Sequence, residues 1–135
     1  MTSMFVDVIP EYRHDDDIRR LTVASTASNL ASVIDMLAQD LVVDDIAVPA
    51  AAAESARRFA QHELSLEALL RAYRLGEHMF VQWAIADIAA LCPPTDVALA
   101  ATSHIAVLTN NYIDRVTERI IGIYEAERRR WEANP

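Results

Sequence analysis

From Leu21 onward, apolar residues return every three or four positions: Leu21, Ala24, Ala27, Leu30, Ile34, Leu37 and Leu41. That is the repeat of a helix that buries one stripe and turns the other to water. Asp15, Asp16 and Asp17 stand just before it and offer capping oxygens and negative charge where a helix start has unpaired N–H groups. The pattern predicts a first helix over about 17 to 42. "VVDDIAVP" then breaks the period, and Pro49 suits the first position of a second helix, where its missing N–H costs nothing. That helix reaches about His62, with Ala53, Ala56, Phe59 and Ala60 on one side and Arg57 and Arg58 on another.

A third helix is capped by Ser65, with Glu67 in its first turn. Its apolar face comprises Leu66, Leu69, Leu70, Tyr73, Phe80, Trp83, Ala84, Ile88 and Leu91, and it stops at Cys92-Pro93-Pro94 because a residue before proline is pushed out of the α region. Thr95 caps a fourth, over about 96 to 132, whose apolar residues run from Val97 through Ile105, Tyr112 and Val116 to Trp131. More than about 30 residues at ~1.5 Å each make a rod on the order of 50 Å, longer than one small domain covers. Its apolar residues Ile113, Ile120, Ile121, Tyr124 and Trp131 exceed one stripe, so a homodimer is expected, built from this helix and the one from Asp17 to Leu41. Residues 1 to 14 read as an irregular lead-in interrupted by Pro10. No stretch alternates long enough for a sheet, so the expected fold is all-α, a bundle of four to five helices with a long C-terminal helix.

Composition narrows the reading. A chain of 135 residues fits a single domain, and its two glycines, Gly76 and Gly122, leave few turns that need positive φ. All twelve cations are arginines, yet the net charge is −8, a poor match for phosphate backbones or anionic membranes. The run Arg128-Arg129-Arg130 fits a helix C-terminus, which favours cations. Cys92 is alone, so there is no internal disulfide framework and no cysteine-based zinc site. Without a signal-peptide pattern at "MTSMFVDVIPEYRH", or about 18 uninterrupted apolar residues, the expectation is a soluble, cytoplasmic protein.

Candidate chemistry is sparse. Neighbouring residues on a helix point about 100° apart, so neither His62-Glu63 nor Glu77-His78 chelates a metal, and the HExxH spacing is absent. No nucleophile–base set and no glycine-rich phosphate loop is present, so no enzyme and no cofactor are expected. The alternative is a small-molecule or haem-binding sensor with a pocket near His78, Tyr73 and His104, since an inward histidine is all that axial ligation needs. "ELSLEALLRAYRLGEHMF", residues 63 to 80, sets Arg71 and Arg74 around Tyr73 and a glycine in mid-helix. Glu67 stands four before Arg71, and Glu77 three after Arg74, the spacing of exposed ion pairs. Gly76 costs roughly 1 kcal/mol against alanine there, which is the mark of a close approach by another backbone.

The segment "ARRFAQHELSLEALLRAYRLGEHMFVQW" resembles the signature of the RsbR/RsbRD-type N-terminal domain, L-x-x-LL-R-A-Y-R-x-G followed by an aromatic. The matching positions are Arg57, Leu66, Leu69, Leu70, Arg71, Ala72, Tyr73, Arg74, Gly76 and Trp83. The tail "YIDRVTERIIGIYEAERRRW" resembles the end of that domain in PucR/CdaR-type transcriptional regulators. The turn that usually carries a glycine reads "HELS" in this chain. The resemblance implies a globin-like helical fold without haem, a homodimer, and a sensory or regulatory role in front of a signalling or DNA-binding output domain. It implies no catalytic residue and leaves any small-molecule effector undefined.

Overall fold

The computed structural model describes residues 16–39 and 47–133. Among these there are four helices and no strand: α1 (Asp16–Gln39), α2 (Ala50–Gln61), α3 (Leu66–Ala90) and α4 (Thr95–Ala133). The fold is all-α, compatible with the globin-like bundle that the resemblance implies. The lead-in over 1 to 14 and the end of the first helix beyond Gln39 lie outside the described residues.

The short α2 is the hub. Its Ala52, Ala53, Ser55, Ala56 and Ala60 are buried, and side chains this small let α1 pack against one side while α4 packs against another. Phe59 fills the space between, fully buried with Met36 and Ile18 of α1 and Tyr112 and Ile120 of α4. α3 packs chiefly on α4, and the backbones of α1 and α3 hardly approach one another. A gap between these two helices, backed by α4, is therefore a consequence of the helix order.

The helix ends follow local chemistry. Ser65 caps α3, its Oγ accepting from the Ala68 N–H at 3.1 Å. Pro49 precedes α2, and α4 opens with Thr95 already helical and the Ala98 N–H donating to the Pro94 carbonyl, so both helices start one residue away from the expected place. α2 closes with the two bonds of a Schellman motif, Leu64 N–H to the Phe59 carbonyl at 2.9 Å and Glu63 N–H to that of Ala60 at 3.3 Å. This motif needs a left-handed residue, and Glu63 takes it at φ 58°.

The C-terminal half of α4 clamps that corner. Tyr124 donates to the Leu64 carbonyl at 2.6 Å, Arg128 to the Ala60 carbonyl at 3.2 Å, and the Gln61 amide to the buried Glu127 at 2.8 Å. Arg128 thus places its charge at the C-terminus of α2, the negative end of the helix dipole. α4 is thereby packed on the α2–α3 corner as far as Glu127 and Arg128. The longest exposed stretch among the described residues is the α3–α4 hairpin: the last buried residue of α3 is Ala84 and the first of α4 is Thr109.

Candidate functional site

The face that α1 buries is not its most apolar one. Ile18, Thr22, Ser25, Val33 and Met36 are buried, whereas Ala24, Ala27 and Ile34, expected inside, are exposed. Thr22, Ser25, Thr26, Asn29 and Val33 recur at helical spacing and form one wall of a cavity of about 70 Å³. Opposite stands α3 with Leu69, Ala72, Tyr73, Gly76 and Phe80, again three and four apart, and α4 supplies Thr109, Tyr112 and Ile113.

Asn29 organises the polar part. Its amide donates to Ser25 Oγ at 3.3 Å and to the Tyr73 hydroxyl at 3.4 Å, and its carbonyl oxygen accepts from the Tyr112 hydroxyl at 2.6 Å. One side chain thereby ties α1 to both α3 and α4 across the gap. Burial pushes the Tyr112 hydroxyl up to about 12, aided by the neighbouring Tyr73 and opposed by a hydrogen bond with Ser32. Burial also raises Tyr73, against hydrogen bonds with Asn29 and Ser25. Both phenols therefore remain neutral hydrogen-bonding groups at ordinary pH. Thr22 satisfies itself by donating to the Ile18 carbonyl at 2.8 Å. Thr109 does not: it is 1% exposed, and its Oγ1 has no hydrogen-bond partner.

The family-like motif divides between this cavity and the surface. Leu69, Tyr73 and Gly76 line the cavity; Leu66 and Leu70 are half-buried; Arg57, Arg71, Arg74 and Trp83 are exposed. The expected ion pairs of Arg71 with Glu67 and of Arg74 with Glu77 do not form. Glu77 accepts from the Asn110 amide at 3.2 Å, and Arg57 turns to Glu54 at 3.4 Å. Trp83, expected on the buried face, rests on Phe80 with ring centroids 5.9 Å apart and is 59% exposed, because no described element beyond α4 packs on its turn of α3. His78 and His104 are exposed and do not line the cavity, so neither brings an axial nitrogen into it. No three His, Cys, Asp or Glu side chains converge as a metal site would require among the described residues.

The residues expected at a dimer surface are scattered. Ile120 is fully buried in the chain's own core, so a second chain cannot reach it. Tyr124 is held against Leu64, Ile113 borders the cavity, and Ile121 borders a second hollow of about 300 Å³ beside Leu70 and Arg74. Trp131 alone of the five is exposed, at 45%. Periodicity found the stripe of α4 without showing which part of it α2 and α3 would cover. Asn29, Thr22, Ser25 and Thr109 were missed because polar residues between apolar ones read as a solvated face. The signal was present: small hydroxyl side chains and one amide, three and four apart, within "LTVASTASNL".

Residues 1–134 match the family described as the RsbT co-antagonist protein rsbRD N-terminal domain. The chain belongs to that family. No curated protein and no solved structure matches it. In this rsbRD N-terminal domain, the family-like segment from Leu66 to Gly76 is the α3 wall of a cavity pinned by Asn29.

Proposed function

We propose that the chain is the non-enzymatic N-terminal sensory and dimerisation domain of a signalling or transcriptional regulator. The observation that carries this reading is the family match over residues 1–134, whose description names the N-terminal domain of a co-antagonist, a protein that opposes another. The geometry supports it. The Asn29 bonds join α1, α3 and α4, so a change in the cavity alters how α4 is held, and in this reading α4 passes that change to the output domain. A two-state difference in α4 is what an output domain, in this reading a DNA-binding one, would detect.

The dimer in this reading forms through the α3–α4 hairpin. Trp83, Ile85, Leu91, Val97, Leu99 and Val107 stand in water there, large apolar side chains of the kind that mark interaction sites. Between His78 and Asp114 the chain carries two carboxylates, Asp87 and Asp96, and no arginine. A surface so weakly charged suits a second copy of itself better than an oppositely charged partner.

Two measurements test the reading. Sedimentation equilibrium at micromolar concentration is expected to give twice the chain mass, and a species of one chain's mass would overturn the dimer. In the complete regulator, Asn29→Ala is expected to shift the output; output indistinguishable from wild type would overturn the sensory role.

A further inference from the structure

We infer that the Asn29 cavity is a binding site for a small neutral molecule with one hydrogen-bonding group on a short apolar body, such as a short-chain alcohol or ketone. The inference rests on the sensory reading only for its regulatory meaning; the binding itself follows from the cavity. A buried hydroxyl without a partner loses its water without compensation, and Thr109 Oγ1 is in that position among the described residues. Thr109 lines the same cavity as the Asn29 network, one helical turn from Tyr112. A group that both donates and accepts, or only accepts, would satisfy it.

Size and polarity set the class. At about 70 Å³ the space is roughly half that of an engineered cavity that takes benzene, so the body is about three to four heavy atoms. Val33, Leu69 and Phe80 give it apolar walls. Neither arginine nor histidine lines it, and its one carboxylate, Glu77, is occupied by Asn110, so an anion would enter without a counter-charge. Every other polar group on the lining is neutral: Thr22, Ser25, Asn29 and the two tyrosines are already hydrogen-bonded, Thr26 and Ser55 add two further hydroxyls, and Thr109 is the one whose buried oxygen has no partner among the described residues.

Propan-1-ol, acetone and propionate are the probes, titrated into the full chain with amide and methyl NMR shifts as readout. Expected is a saturable shift around Thr109, Tyr112 and Tyr73 with propan-1-ol and acetone, and none with propionate. Thr109→Val keeps the shape and removes the hydroxyl, and is expected to weaken propan-1-ol about tenfold, whereas Thr109→Ser restores it. Ala72→Val narrows the space without touching a hydroxyl and is expected to weaken every binding probe. No saturable shift with either neutral probe would overturn the proposal and leave ordered water as the partner of Thr109. Equal affinity in the wild type and Thr109→Val, or binding of propionate as tight as that of propan-1-ol, would overturn it too. None of these readouts depends on oligomeric state or regulator output, so the site can fail while the proposed function stands, and the reverse.

Discussion

Glu63 shows how one residue can carry a cost that its neighbours require. The Schellman closure of α2 needs a left-handed residue between His62 and Leu64, and a side chain with a Cβ at φ 58° is strained by about 1 kcal/mol. In the turn "HELS" glutamate is held in this conformation by the bonds on either side. Glu63→Gly is expected to raise stability by about 0.5–1 kcal/mol, less than the full strain because glycine also loosens the unfolded chain. Urea denaturation measures it, and a loss of stability would mean that the Glu63 side chain makes a contact worth more than the strain. The two cavity tyrosines carry a pH signature instead. Their folded pKa values lie above the free value, so the stability they lend is complete below pH ~10, the unfolded value. It declines above that at up to about 1.4 kcal/mol per pH unit for each, until about 12 for Tyr112, because the unfolded chain releases its protons first. Tyr112→Phe is expected to cost about 1–2 kcal/mol at neutral pH, since the Asn29 carbonyl loses its donor, and to flatten the alkaline decline. An alkaline profile as steep as that of the wild type would show that Tyr112 is not what titrates.

Each helix is a compromise between what its period demands and what its neighbours cover. Gly122 is the simplest case: it is exposed within α4, and a Cβ added there meets nothing within 4 Å. Gly122→Ala should therefore return most of the roughly 1 kcal/mol that glycine loses in a helix interior. A thermal midpoint that falls would place an unseen neighbour against that turn. The existence and type of all four helices were legible because their signals are local: Pro49, Ser65 and the Pro93-Pro94 break each act within a turn of their own position. The inward face of α1 was not legible. Leu30 and Leu37 reach the core only in part, and Ile34 points to water, while Thr22 and Ser25 are buried. The reason lies on the other helices, because Tyr73 and Tyr112 bring hydroxyls that only polar partners on α1 can satisfy. One stretch of α1 is long and apolar enough to cross a membrane by length and composition, and only 22% of it is buried in the protein. The outward Val23 and Ile34 make up part of what remains uncovered.

At the scale of the molecule, the question is which apolar surface the single chain leaves unprotected. α2, at 12 residues, spans roughly 18 Å, while α4, at 39 residues, spans roughly 58 Å, so two long helices outrun their cover. The clamp of Tyr124 and Arg128 on the α2–α3 corner fixes which end is left over. The excess falls at the hairpin, where among the described residues α3 and α4 cover only each other, and this moves the proposed dimer surface from the C-terminal stripe of α4 to its N-terminal third. Two substitutions separate these placements. Leu99, at 68% exposure, can become glutamate with little effect on the fold of one chain, whereas Ile120 at 0% cannot. Leu99→Glu is expected to weaken the proposed dimer at least about tenfold in sedimentation equilibrium while the helical circular dichroism at 222 nm persists, the approximate loss when a charge is driven into an apolar contact. Ile120→Glu is expected to unfold the chain at room temperature, because it places an unpaired carboxylate beside Phe59 and Tyr112. Should Leu99→Glu leave the dimer intact while Trp131→Glu dissolves it, the interface lies at the far end of α4. The clamp would then be a surface shared with the second chain.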